Sequence, residues 1–238
     1  SLRRVVNILE KETEMKTIGM VIAIDEELKA FLKKFDYVKN VKAGAYDVFE
    51  CGIADKKVFA VKTGAGELCA AAATQFLITA FGAELVINAG VCGNLSKNLK
   101  ILDTVVVKEV VHYQYDTSAV DNCAVGKYEQ FESVNIPSDE IFREKLRSAF
   151  PFVKEARCAS GDKFIAEKDD KAYLVRQFGA EICEMESAGI IITCKKNRVP
   201  CLIVKSVSDD CDDMDFMTYV EKAAAIVSDI VIKTIAML

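Results

Sequence analysis

Two stretches of this chain have residue types and spacing that invite chemistry: Glu184-Met185-Glu186 and, after a run that reads as helix, Val204-Lys205-Ser206-Val207-Ser208-Asp209. Glu184 closes a short apolar strand over 180–183, and Glu186 opens a helix predicted over 187–196. Asp209 follows the apolar run 201–207, which reads as a buried strand. In α/β sheets, ligands sit outside the carboxyl ends of the strands, and these acids project there. Two carboxyls so placed suit cleavage of a sugar bond, in which one steadies an oxocarbenium-like centre and the other protonates the leaving group. The plain alternative is helix capping, the commoner role of a lone acid at a helix start.

The elements that must position these acids alternate along the chain. Ile18-Gly19-Met20-Val21-Ile22-Ala23 is a continuous apolar run, hence a buried strand. Asp25-Glu26-Glu27 then opens a helix over 28–35, with its acids well placed against the dipole. Residues 46–51 and 57–62 read as paired strands across the turn Gly52-Ile53-Ala54-Asp55. Gly64-Ala65-Gly66 breaks the chain before an alanine-rich helix over 67–81, which Gly82 stops. Further strands are predicted over 84–88, 104–111 and 157–160, a helix to 149 with Ser138 as its cap, and a last helix over 216–237. Three prolines and no low-complexity stretch leave no linker. The expectation is a single-domain, three-layer α/β/α fold with a mixed central sheet. Met15-Lys16 resembles a natural start, so residues 1–15 read as an N-terminal extension ahead of a domain at 16–238.

Composition narrows the function. The 238 residues are 51% hydrophobic and 28% charged, the balance of a globular protein. A net charge of −5 without a basic cluster argues against a nucleic-acid partner. No apolar run reaches the roughly 18 residues of a membrane span. Nine cysteines, an odd number with no C-x-x-C pair, lie mostly in apolar segments as free thiols do, which points to a reducing, cytoplasmic compartment. With His112 the only histidine, no zinc-type ligand set is offered, and no metal or organic cofactor is expected. His112, in a β-branched strand, reads as structural or interfacial. The run Asp209-Asp210-Cys211-Asp212-Asp213 fails the calcium-loop spacing. Thr63-Gly64-Ala65-Gly66 and Gly90-Val91-Cys92-Gly93 read as glycine loops that could present backbone N–H groups to a ligand, though neither is a Walker loop.

Six blocks stand out in order over residues 16–238: Ile18 to Glu27, Val86-Ile87-Asn88-Ala89-Gly90, Leu102-Asp103-Thr104-Val105-Val106, Ser160-Gly161-Asp162-Lys163-Phe164-Ile165, Glu184-Met185-Glu186 and Ser208-Asp209. Taken together and in this order, they resemble the bacterial 5′-methylthioadenosine/S-adenosylhomocysteine nucleosidases of the nucleoside phosphorylase/nucleosidase superfamily. The resemblance implies hydrolysis of the N-glycosidic bond of a 5′-substituted adenosine by a homodimer. It makes Asp209 the acid that protonates purine N7 and Glu27 the carboxylate that activates water. Glu186 then binds the ribose hydroxyls and shares the sugar's developing charge, with Met185 on the ribose face. Phe164 stacks on adenine, Ile165 offers its backbone to the base edge, and Phe216 walls the pocket for the 5′ group.

Hydrolase and phosphorylase differ in the anion they must hold. A phosphorylase needs cations and hydroxyls for phosphate. Here the first turn is acidic and position 88 is the neutral Asn88, whereas related phosphorylases carry arginine at both places. Water is therefore the expected nucleophile. Three residues depart from the nucleosidase pattern: Val91 replaces a hydroxyl near the ribose, Lys205 replaces an arginine, and Asn94 replaces a glycine; by the resemblance Val91 and Lys205 are still expected to line the substrate pocket. The alternatives left open are a phosphate-dependent phosphorylase and a non-catalytic nucleoside binder.

Overall fold

The computed structural model describes residues 15–211 and 213–238, so all but the last residue of the expected N-terminal extension, 1–15, lies outside the described residues. Three strands run parallel at its centre. They are β1 (Thr17–Ile22), flanked by β4 (Lys56–Lys62) and by β5 (Leu85–Asn94). On β1 and its neighbours, alternate side chains go to opposite faces. Val21, Val61, Val86 and Ile203 join the core under α2 (Glu67–Phe81) and α6 (Ser187–Asn197). Met20, Ile22, Ile87 and Leu202 join the core under α1 (Asp25–Leu32) and α7 (Asp213–Met237). Both faces are covered, which is why these strands read as continuous apolar runs. The three-layer expectation holds.

The sheet also does something that apolar patterning does not reveal. Beyond β5 come β10 (Cys201–Asp209), parallel to it, and β6 (Thr104–His112), antiparallel to β10. β8 (Lys154–Ser160) pairs parallel with β6, and β9 (Ile182–Glu184) parallel with β8. β9 then returns to pair antiparallel with the end of β5, through Gly93–Cys183 and Asn94–Ile182. Five strands thus close into a ring on one side of an otherwise open sheet. The other side ends in the hairpin β3 (Tyr46–Ile53) with β4, extended by β2 (Lys39–Ala43).

Several local expectations are corrected. Gly90 to Gly93 is not a loop: all four residues lie within β5 and pair with β10. Thr63 to Gly66 is a loop, with Gly64 and Gly66 at φ of +80° and +112°, where glycine is favoured. Asp139, not Ser138, caps α4 (Glu140–Ala149) by accepting from the Phe142 N–H. The Ser138 hydroxyl instead donates to the Val107 carbonyl. Four elements were not anticipated: β2, the short α3 (Ser118–Asp121), β7 (Ile136–Pro137) and α5 (Lys168–Phe178).

Candidate active site

A cleft opens where β1, β5 and β10 end. Glu27, Val91, Phe164, Ile165, Met185, Glu186, Asp209 and Phe216 all line it. Lys205, the remaining predicted site residue, does not line it; its side chain is fully buried beneath the cleft floor.

Glu27 owes its position to the way two strands part. β1 and β5 are paired up to Val21–Asn88, and past that point β5 continues while the chain after β1 turns into α1. The parting leaves N–H groups on both strands without ladder partners, a costly state in the interior. Glu27 fills the gap from the third position of α1. Its Oε2 accepts from the N–H groups of Ala23 (3.0 Å) and Ile24 (3.2 Å), and its Oε1 from that of Val91 (2.8 Å). The backward reach to Ile24 is one arm of a capping box. Burial raises the Glu27 pKa, against the lowering effects of the Lys205 charge and the three N–H donors. A carboxylate raised in this way is a stronger base than an exposed glutamate. Asp25 and Glu26 are not part of this arrangement, and Asp25 pairs at the surface with Lys62.

The start of α6 organises a second group of acids. Its first N–H groups lack partners within the helix and attract negative charge. Glu184 accepts from the N–H groups of Glu186 and Ser187 and from the Ser187 hydroxyl. The Ser160 hydroxyl accepts from the N–H of Ala188, and Glu67 from that of Gly189. Glu184 is thus the capping acid of the pair; both acids line the cleft, and the Glu186 side chain makes no capping bond. Glu186 Oε1 accepts from the Gly66 N–H (3.2 Å), which is the service the Gly64–Gly66 loop performs. Lys205 Nζ lies 2.9 Å from Glu184 Oε2 and 3.9 Å from Glu186 Oε2. Burial works against charge on Glu184, but Lys205 and the surrounding hydroxyl and ammonium donors outweigh it and hold its pKa low. Burial, with Glu184 beside it, pushes Glu186 up to about 8, and the same two causes push Glu67 to about 8.

Glu67 is the site-region residue that sequence reading missed. It is almost fully buried, and the Ser160 hydroxyl donates to its Oε1. At the start of an alanine-rich helix it reads as an ordinary solvated first-turn acid.

Asp209 ends β10 just past an irregularity in the pairing with β5. Its Oδ1 accepts from the Cys211 N–H (2.8 Å) and its Oδ2 from the Ser208 hydroxyl (2.7 Å). Phe164 is 43% exposed at the cleft mouth and meets Phe216 edge-on, with ring centroids 5.6 Å apart. An aromatic face left open at a cleft mouth is available for stacking on a planar ligand. Val91 packs with Val220, Ala223 and Ala224 of α7, so the wall has an apolar patch in place of a hydroxyl. His112 is held away from the cleft, its Nδ1 2.7 Å from the Tyr128 hydroxyl, and burial lowers its pKa. Among the described residues no cluster of three or more potential ligands could hold a metal ion, and no helix is long and apolar enough to cross a membrane.

The family model described as "Phosphorylase superfamily" matches residues 17–236, nearly the whole described chain. The chain belongs to the phosphorylase superfamily. Among its superfamily relatives, the aminodeoxyfutalosine nucleosidase of Helicobacter pylori is 32% identical over 221 residues, covering 88% of this chain and 94% of the relative. The 5′-methylthioadenosine/S-adenosylhomocysteine nucleosidase of Buchnera aphidicola is 28% identical over 215 residues, covering 85% and 92%. Among solved superfamily structures, the nucleosidase of that type from Neisseria meningitidis, in complex with methylthio-immucillin-A, superposes with a TM-score of 0.88 at 31% identity over 94% of this chain and 100% of that one. The native futalosine hydrolase of H. pylori gives 0.89 at 28% identity, covering 94% and 99%.

Proposed function

We propose that this protein hydrolyses the N-glycosidic bond of a 5′-substituted adenosine, releasing adenine and a 5-substituted ribose. One observation carries the reading: three buried carboxyls, Glu27, Glu186 and Asp209, converge on a single cleft, each fixed by backbone N–H donors. In the proposed reaction the bond from C1′ to N9 breaks with its electron pair going to the base. Asp209 delivers a proton to N7. Glu186 holds the ribose hydroxyls and balances the positive charge that develops on the sugar. Water adds at C1′ and gives up its proton to Glu27. Phe164 and Ile165 receive the base, Met185 the ribose, and Phe216 and Val91 the 5′ group.

Water is favoured over phosphate because the place for the nucleophile is bordered by Glu27, an acid inside the fold that would repel an anion. Asn88 is buried in the sheet, where its amide donates to the Val21 carbonyl. Lys205, the one buried cation near the cleft among the described residues, is already paired with Glu184.

The comparisons support three candidates for the 5′ group. Methylthioadenosine and S-adenosylhomocysteine are the substrates named for several relatives, and aminodeoxyfutalosine is named for the relative at 32% identity. Adenine release from these three and from adenosine, each with and without phosphate, tests the reading. Phosphate-independent release from one of them is the expected result. Release only with phosphate would make the protein a phosphorylase, and binding without release would make it a nucleoside binder. The reading includes a homodimer, to be checked by light scattering, and a reducing cytoplasmic setting, consistent with nine free thiols.

A further inference from the structure

Acids at the cleft floor and behind it form a closed circuit with Lys205. Glu186 lies beside Lys205, and Lys205 is paired with Glu184. Glu184 and Glu67 both interact with the Ser160 hydroxyl. Glu67 follows Gly66, whose N–H returns to Glu186. Glu186 is faced by Glu184 from its own segment, Lys205 from β10, Glu27 from α1 and Glu67 from α2. Among the described residues, Lys205 is the cation paired with these acids. It sits where a charge is expensive to bury unless it is paired, and it does not reach the cleft.

We propose that Lys205 is a positioning residue that does not touch the substrate and acts through Glu186: clamped by Glu184, its ammonium governs how readily Glu186 takes up the negative charge that must face the sugar cation. This deepens the nucleosidase reading and rests on it. Glu184 restrains the effect, because it draws the ammonium to 2.9 Å from itself and leaves it at 3.9 Å from Glu186. The two members of the pair therefore act on Glu186 in opposite directions. Removing Lys205 makes the carboxylate harder to form. Removing the charge of Glu184 frees the ammonium for Glu186 and makes the carboxylate easier to form. A purely structural pair would not give opposite signs.

The test follows kcat/KM for adenine release against pH in the wild type and in Lys205→Met, Lys205→Arg and Glu184→Gln. In Lys205→Met the acid limb should move to higher pH, with activity on that limb falling about tenfold or more, as when an opposite charge within ~4–6 Å is lost. Lys205→Arg should keep the wild-type limb. Glu184→Gln should move it to lower pH. If Lys205→Met does not fold, Glu184→Gln and Lys205→Arg still decide the sign. A carbon-13 titration of the glutamate carboxyls, with Glu186→Gln supplying the assignment, reads the same shifts without turnover. It separates the two hypotheses: a wild type silent on every nucleoside overturns the functional reading, while the titration still decides the role of Lys205. Unmoved limbs and an unmoved Glu186 signal in folded variants, or shifts in the same direction for Lys205→Met and Glu184→Gln, would overturn the proposal.

Discussion

A β-carbon at position 90 would stand 2.6 Å from Oε1 of Glu27. Gly90 is thus required by the close approach of a carboxylate to a strand, and not by any unusual backbone angle. An alanine there must push Glu27 off the Val91 N–H. Gly90→Ala is expected to fold and to lose about 10²-fold in kcat, the effect of misplacing a reacting group by roughly 1 Å. Steady-state kinetics with a circular dichroism control checks this. Wild-type kcat in a folded variant would remove Glu27 from the mechanism.

Asp209→Asn keeps an oxygen for the Cys211 N–H but has no proton to deliver to the purine. The expected outcome is a fall of about 10²–10⁴ in kcat, the usual worth of general acid catalysis, with little change in Tm. A folded and fully active Asn variant would mean that the base departs without help from this residue.

Glu67 makes a prediction about stability. Its pKa rises from an ordinary 4.5 to about 8 on folding, chiefly through burial. A raised folded-state value means that its contribution is complete below pH 4.5 and is lost as the pH climbs through about 8. Glu67→Gln, neutral throughout, should therefore gain stability relative to wild type across that window, by more than about 1 kcal/mol at its alkaline end. Urea unfolding at pH 5 and pH 9 measures the difference, and a gain that is equal at both would contradict it.

Phe216 contacts Phe164 edge-on at the side of the cleft assigned to the 5′ group. Phe216→Ala should raise KM for a substrate with an apolar 5′ substituent about tenfold, the order expected for one lost apolar contact, while adenosine changes little. An equal loss for both substrates would place Phe216 against the base or the ribose instead.

What could be seen in advance followed from the range over which each signal acts. Glu186 and Asp209 stand out because an acid directly after an apolar run has few places to go except the end of a strand. Lys205 carried a different signal, a cation inside the apolar run 201–207. The run fixes its burial but not the side from which its partner comes, so the sequence points it at the cleft, whereas it lies beneath it. Glu67 gave no local sign at all. What buries it is α6, where Gly189 comes so close that a β-carbon would stand 2.3 Å from the Glu67 carbonyl oxygen. β2 (KNVKA) escaped notice because an exposed edge strand needs no apolar alternation. Gly90 to Gly93 looked like a loop because glycines usually mark turns; here they make room for carboxylates, Gly93 lying against Asp209 as Gly90 does against Glu27. No side-chain pattern announces that β9 closes a ring, since only two residue pairs make the closure.

That ring has a consequence for how the protein comes apart. Val86, Ile87 and Asn88 of β5 are paired with β1 on one side and β10 on the other, and the same strand goes on to β9. Its amide hydrogens should exchange with solvent only when the whole domain opens, at the slow limit of the molecule. The N–H that holds Glu27 belongs to this strand, three residues beyond Asn88. The acid proposed to activate water is therefore moored to the last part of the protein to melt, and any molecule that still counts as folded carries that mooring intact.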